Sequence, residues 1–353
     1  MKKIIPSNTQ SPTSSKKKMK PWKRNLLIFL ALIFVTGGSV FGYFAYKANK
    51  SINNITGENQ SIFDTAKSLL IGSADKQLKS DNGRTNIVLL GMRGENDPNG
   101  GLLSDSIMIF SIQQDTKKVA MVSIPRDLRV QIPGTRGYSK LNAAHAVGFQ
   151  QKPPQGLQYT MKVLEDVTGL PMHYGVSVDF IAFKGIIDAL GGITVNAASD
   201  FYDPNYEGGI RVKKGLNELD SDKALKYVWA RLSTNDFDRS RRQREVITAI
   251  KDKAEQTGAI RNPILMLNVL ESLGNNVKTT MTIDEIRLAA SMADTFDIDN
   301  MIQKGYDTSA DGPFTSITDP VIGYVIIPRG GNFSAFQKDI QNIFGPEDSI
   351  IQP

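Results

Sequence analysis

The sequence predicts an α/β fold: an α-β-α sandwich around a central mixed sheet, preceded by one N-terminal transmembrane helix. Three observations lead there. From Thr85 onward, short apolar runs alternate with longer segments of helical periodicity. Asn25–Tyr46, by contrast, is about 22 residues without a charge. The chain of 353 residues is 40% hydrophobic and 22% charged, which is globular composition with enough apolar material for a large core.

The N-terminal region sets the topology. Residues 1–24 hold Lys2, Lys3, Lys16, Lys17, Lys18, Lys20, Lys23 and Arg24 and no acid. Removing these eight from the 42 Lys and Arg leaves 34 cations against 36 acids, so the formal charge of +6 becomes −2 for the body. A near-neutral body argues against nucleic acid as a partner. The basic run keeps residues 1–24 in the cytoplasm. The stretch 25–46, long enough at 1.5 Å per residue for a hydrocarbon core of ~30 Å, then crosses the membrane. Trp22, Tyr43 and Tyr46 suit its interfaces. A cleaved signal peptide is the alternative, with Gly37-Gly38-Ser39 imitating a cleavage site. A single-pass protein of the cell membrane with an extracytoplasmic C-terminal body is the expectation. Residues 47–84 read as a stalk with a weak helical pattern at Ile62–Leu70, 85–255 as the main domain and 256–353 as a C-terminal α/β extension.

Within the body, Asn86–Gly91 is an apolar run ending in glycine, the pattern of a buried strand feeding a loop. Ile107–Ile112 and Val119–Pro125 follow as strands joined through Asp115–Lys118. Gln155–Thr168 reads as a helix stopped by Gly169-Leu170-Pro171. A strand at His173–Val178, a helix at Phe180–Leu190 and a strand at Ile193–Val195 come next. Helices are expected over Ser221–Leu232, Asp238–Lys253, Pro263–Leu273, Ile283–Phe296 and Phe333–Ile343, with a strand at Val321–Ile327. These last elements either complete the same sheet or form an appended lobe.

Chemistry is written in four segments. In Ala230–Ile250, Arg239, Gln243, Val246, Ile247 and Ile250 share one helical face, with Arg242 beside Gln243, and the later members of that face are apolar. Asp236 and Asp238 are placed to cap that helix. Charges on an inward face need partners, either Asp/Glu or an anionic ligand. In Ser123–Val130, Arg126 emerges at the C-terminal end of a strand, the edge where open α/β sheets bind ligands. It either grips phosphate oxygens or closes a turn with Asp127. Asp105 stands at a strand entrance behind Gly100-Gly101, as a turn former, a cation ligand or the orienter of an acceptor hydroxyl. Ser139–His145 presents Lys140 before a run of small residues.

Other chemistries are excluded. The chain has no cysteine, hence no disulfide, thiol catalysis or thiolate metal site. His145 and His173 are not spaced as a helical metal pair, and neither lies near a G-x-S-x-G elbow. P-loop and Rossmann glycine patterns are absent.

The segments SDSIMIFSI, VSIPRDLRV, SKLNAAHA, VDFIAFKGIIDALGGITV and DFDRSRRQ, in this order between Thr85 and Lys253, resemble the LytR-CpsA-Psr family of membrane-anchored cell-wall enzymes. The resemblance implies a phosphotransferase that moves a glycopolymer from an undecaprenyl-pyrophosphate carrier onto peptidoglycan, usually with Mg²⁺. It assigns Arg126, Arg231, Arg239 and Gln243 to the pyrophosphate, with Lys140 and, more weakly, Arg129 beside them. Asp105 is implied in metal binding or acceptor activation. A polyprenyl tail is implied to lie between sheet and helices. The chain departs from the pattern at Arg93, where many members have aspartate, at Trp229, where many have the first arginine of an R-x-R pair, and at Arg244, which replaces a second glutamine. Glu95 or Asp97 could stand in for the missing aspartate. The other readings are a non-catalytic module that binds polyprenyl phosphate or polyanions, and a pyrophosphate hydrolase.

Overall fold

The computed structural model describes residues 77–345 except 100, 205–208, 231–235, 259–272, 274–275 and 293–294, together with Tyr46, Lys50 and Asn53. The elements below all lie in the second of two compact units, Lys47–Pro353. The expected anchor at 25–46, the cytoplasmic tail, most of the stalk, the helix expected from Pro263 and Arg231 fall outside the described residues. No helix among the described residues is long and apolar enough to cross a membrane.

The apolar runs fold as read. Arg84–Met92 (β1), Ser104–Gln113 (β2) and Lys118–Ser123 (β3) form an antiparallel meander. Short strands Arg129–Gln131 (β4) and Tyr138–Lys140 (β5) pair as a hairpin, followed by helices Ala144–Phe149 (α1) and Gly156–Thr168 (α2). Gly169 ends α2 in the left-handed conformation, φ 66°, as the Gly-Leu-Pro stop predicts. Tyr174–Asp179 (β6) lies parallel to β1 and feeds Phe180–Ala189 (α3), whose free Ala182 N–H donates to Asp179 Oδ1 at 2.9 Å.

Ile193–Ala197 (β7), Phe201–Asp203 (β8), Ile210–Val212 (β9) and Gly215–Leu219 (β10) make two small antiparallel pairs, β7 with β10 and β8 with β9. Ser221–Trp229 (α4) and Asp236–Thr257 (α5) are the two helices read from the basic segment. Asp236 and Asp238, expected ahead of α5, lie in its first turn. Its buried stripe is Arg239, Arg242, Val246 and Ala249, the first three on the face the sequence suggests, with Gln243, Ile247 and Ile250 half-buried at its margin. Val277–Thr279 (β11), Ile283–Met292 (α6), Asp297–Gly305 (β12), the hairpin Phe314–Asp319 (β13) and Gly323–Pro328 (β14), and Ser334–Gln341 (α7) complete the chain. The start of β14 falls two residues later than Val321 because Asp319 Oδ1 accepts from Val321 N and Ile322 N, closing a turn that ends at Gly323 with φ 73°.

The central sheet has six strands in the order β11-β6-β1-β2-β3-β12 and is mixed. Strands β6, β1, β3 and β12 run the same way, with β2 and β11 opposed. Both edge strands come from beyond residue 255, so the C-terminal third extends the sheet. One sheet face (Val88, Leu90, Ile107, Ile109, Val122) forms a core with Leu157, Val163 and Leu164 of α2 and Phe336 and Ile340 of α7. The buried Arg84 ties α7 to this sheet, donating to the carbonyls of Ile340 and Gln341 and to Ser111 Oγ. On the opposite face, Leu89, Phe110, Ile112 and Val119 line an apolar cavity of about 380 Å³ closed by Ile247 of α5 and Phe296. Before β1, Leu78 is buried against Tyr174 and Met281, so the chain is packed onto the body ahead of Thr85.

Candidate functional site

The parallel strands β1, β3, β6 and β12 bring their C-terminal ends to one edge, and β2 begins there. Arg126, Asp105 and the start of α5 gather at this edge. Arg126 leaves β3 through Pro125 and is pinned from behind: its carbonyl accepts from Asn142 N at 3.0 Å, and Leu128 N donates to Pro125 O at 3.2 Å. The Lys140–Asn142 segment thereby serves as a brace for the arginine. The loop between β1 and β2 is closed by Gly94 N to Gly101 O at 3.0 Å and Gly101 N to Asp97 O at 3.2 Å. A Cβ at Gly101 would stand 1.8 Å from Gly94 O, so the glycine-rich entry is a steric requirement for placing Asp105 beside Arg126.

Arg126 Nη1 donates to Asp105 Oδ1 in a short contact. Its buried Nε makes no hydrogen bond and has Asp236 Oδ1 at 3.4 Å and Asp127 Oδ2 at 3.6 Å. Arg239 is 1% exposed, places Nη2 2.5 Å from Asp236 Oδ1, and donates to the Asp105 carbonyl at 3.3 Å. Lys140 joins through Asp127, Nζ to Oδ1 at 2.9 Å. Arg126, Arg239, Lys140 and Asp105 therefore form one cluster. In it the guanidinia and the ammonium are held by carboxylates of the chain, the first of the two partners the sequence allowed. The Arg126–Asp127 contact of a closed turn is present as well.

Arg129 and Gln243 stand apart from that cluster. Arg129 donates from Nε to Asp319 Oδ2 at 3.0 Å and lies 3.6 Å over the Tyr138 ring. Gln243 donates to Val228 O at 3.4 Å, toward the end of α4. Arg231 is outside the described residues. Arg242, 1% exposed, donates to the carbonyls of Tyr227 and Ala230 and lies 4.1 Å over the Phe201 ring. Backbone and aromatic faces are its partners, which fixes the end of α4. Arg244 donates from Nη1 to Ser123 Oγ at 2.8 Å at the end of β3, and burial lowers its pKa.

Arg93, following β1, sits between two carboxylates: Nε is 3.8 Å from Asp105 Oδ2 and Nη1 is 3.9 Å from Asp97 Oδ1. Its Cζ lies 4.7 Å over the ring of Trp229, which in turn packs edge-on to Phe180. Beside Arg93 opens a cleft of about 840 Å³, lined among others by Leu102, His145, Phe149, Asp179 and Phe180. Burial pushes the His145 pKa down to about 4, so its ring is neutral at physiological pH. Desolvation raises the Asp179 pKa against the hydrogen bonds of the α3 N-terminus.

A divalent cation such as Mg²⁺ takes hard oxygen ligands, commonly more than one carboxylate with little positive charge nearby. Asp105 offers one oxygen bound to Arg126 and another facing Arg93. Among the described residues no group of three or more His, Asp or Glu gathers to hold an ion. A carboxylate between two guanidinia does not fit the group.

Sequence reading passed over Asp236 as a charge partner, treating it as a cap, although its i,i+3 spacing to Arg239 is the available signal. The partnership of Arg93 with Trp229 joins residues more than a hundred positions apart and carries no local signal.

A model of the LytR_cpsA_psr family matches residues 39–313. The chain is 32% identical over 271 residues to the polyisoprenyl-teichoic acid–peptidoglycan teichoic acid transferase TagU of Bacillus licheniformis, covering 76% of this chain and 82% of that protein. To TagT of Bacillus subtilis, of the same transferase name, it is 27% identical over 308 residues, covering 85% and 90%. The crystal structure of B. subtilis TagV superposes with a TM-score of 0.58 at 25% identity, covering 78% of this chain and 100% of that one. A structure described as TagT bound to LI-WTA gives 0.57 at 25% identity, covering 75% and 92%.

Proposed function

Because the chain belongs to the LytR-CpsA-Psr family, whose model matches more than three quarters of it, we propose that it is a phosphotransferase that moves a glycopolymer from an undecaprenyl-pyrophosphate carrier onto peptidoglycan. It is anchored by Asn25–Tyr46, with the tail 1–24 cytoplasmic and the body outside. The relatives named as teichoic acid transferases support a wall teichoic acid or similar anionic polymer as the cargo.

The observation that carries this reading is the pairing of an arginine cluster with an apolar cavity on one helix. Arg239 enters the cluster and Ile247, eight residues on, lines the cavity, about 12 Å along α5. That is the layout for an amphiphile with an anionic head and a hydrocarbon tail. On binding, the pyrophosphate oxygens replace carboxylates at Arg126 and Arg239, which offer forked N–H donors. Lys140 holds Asp127 and keeps that side of the cluster charged. The acceptor hydroxyl oxygen attacks the phosphorus bearing the glycan, and the bridging P–O bond breaks. Polyprenyl monophosphate leaves, and the hydroxyl proton passes to solvent by way of Asp105. The phosphodiester forms without a covalent enzyme intermediate, since positioning and positive charge supply the catalysis. The cleft beside Arg93 gives room for the sugar acceptor.

Incubating the full chain in detergent with lipid-linked glycopolymer and peptidoglycan tests the reading. A polymer–peptidoglycan phosphodiester is the expected product. Free phosphorylated glycan would assign a hydrolase instead, and tight binding with no turnover would assign a non-catalytic lipid-phosphate binder.

A further inference from the structure

The carboxylates of Asp97 and Asp105 face each other across a single positive group, and that group is a side chain. Arg93 lies 3.9 Å from the first and 3.8 Å from the second, with Trp229 closing a third side at 4.7 Å. Its position is fixed from both ends of the molecule. Gly94, with φ 123°, donates to Gly101 O and accepts from Asp97 N, which sets the backbone, and Trp229, wedged against Phe180, covers the guanidinium face. A side chain enclosed in this way presents an oriented charge to the cleft it lines. Two of the three departures from the family pattern, Arg93 and Trp229, are thus in contact with one another.

We propose that the guanidinium of Arg93, clamped by Asp97, Asp105 and Trp229, supplies the fixed positive charge beside the transferred phosphoryl group, so that transfer by this protein needs no divalent cation. The inference rests on the transferase reading. A guanidinium adds what that centre requires: a charge that persists at any physiological pH, and N–H donors for non-bridging phosphoryl oxygens. The bonds made and broken are those given above. Arg93 neither gains nor loses a proton in them. Asp105 is a positioning residue for it, facing Arg93 with the oxygen that stays in place when pyrophosphate takes over Arg126 from the other. Trp229 positions it from the opposite side, and the ring face favours the cation over a neutral side chain.

The test uses the full chain in detergent and has two readouts. In the transfer assay, wild-type rates in excess EDTA and in excess Mg²⁺ are expected to agree within about twofold, and Arg93→Ala to lose about a hundredfold, as for loss of one transition-state donor. Arg93→Lys keeps the charge without the fork and should recover part of that loss. Arg93→Asp, which places a third carboxylate between Asp97 and Asp105, should transfer only when Mg²⁺ is present. In the second readout, Mn²⁺ alone is titrated and followed by electron paramagnetic resonance. Wild type should leave the ion free, and Arg93→Asp should bind one equivalent. Abolition of wild-type transfer by EDTA would overturn the inference while leaving the transferase reading in place. So would a wild-type Mn²⁺ site lost on Asp105→Asn. If wild type transfers under neither condition, the transferase reading fails, and the Mn²⁺ titration still decides whether Arg93 occupies a cation position.

Discussion

Replacing Arg126 with alanine removes the group on which three carboxylates converge. Asp105, Asp127 and Asp236 all face it, and Arg126, Asp105 and Asp127 are each 13–16% exposed. Breaking a mostly buried ion pair from one side costs about 3–5 kcal/mol. Lys140 on Asp127 at 2.9 Å and Arg239 on Asp236 at 2.5 Å retain partners for two of the three. Asp105 keeps only the longer contact to Arg93, at 3.8 Å, which places the cost near the lower end, about 3 kcal/mol. For a body of this size, that corresponds to a melting temperature lower by about 6–12 °C. Neutralising the stranded acid in Arg126→Ala/Asp105→Asn should return about 1–2 kcal/mol, the coupling expected for groups in direct contact. Loss of two charge-assisted hydrogen bonds should also weaken polyprenyl-pyrophosphate binding by about 3 kcal/mol or more, over a hundredfold. Thermal and urea unfolding by circular dichroism, with a lipid-pyrophosphate titration, measure these. A single variant within about 1 kcal/mol of wild type, with no gain from the second substitution, would refute the reasoning. It would mean that the cluster behaves as an exposed ion pair.

Three further outcomes are expected. Gly101→Ala forces a Cβ to within 1.8 Å of Gly94 O; opening the loop should cost transfer more than lipid binding, read from parallel kinetic and binding assays. His145 is neutral when folded, with its pKa lowered to about 4 by burial, whereas the unfolded chain takes up a proton near 6.5. Stability from this group is complete above pH 6.5 and falls on acidification toward 4 by up to about 3 kcal/mol, a slope that His145→Phe should remove from urea midpoints across that range. Asp105→Ala should lower transfer more than ligand binding, because Arg126 and Arg239 remain; equal losses would deny Asp105 a role in the chemical step.

The sequence was most informative where one physical cause dominated. The interiors of β1, β2 and β3 are buried on one face of the sheet and at least half-buried on the other, and their near-continuous apolar runs announce it, whereas β6, Tyr-Gly-Val-Ser-Val-Asp, carries a weaker signal. Strand β12, by contrast, reads Asp-Ile-Asp-Asn-Met-Ile-Gln-Lys-Gly and is largely exposed, so its place at the sheet edge follows from pairing with β3 rather than from its own composition. The short hairpins β4–β5 and β8–β9 are too brief for period-two alternation to register. At the site, Arg126 was legible from its position after an apolar strand, and Arg239 from its helical spacing to Val246. Of their carboxylate partners, Asp127 and Asp236 were within local reach, beside Arg126 and three residues before Arg239, whereas the contacts of Arg126 with Asp105 and Asp236 form only through the tertiary fold. Arg129 illustrates the same limit. Its partner Asp319 lies 190 residues away and draws it off the cluster that its proximity to Arg126 suggested.

The same tertiary closeness makes one structure decisive: the full chain with polyprenyl pyrophosphate bound. The account predicts phosphate oxygens about 2.7–2.9 Å from the Arg126 and Arg239 guanidinia, with Asp236 displaced from at least one of them. It predicts the tail entering the cavity over Phe110 and Ile112 beneath Ile247. A pyrophosphate lodged elsewhere, with the Arg126–Asp105 and Arg239–Asp236 contacts intact, would contradict it.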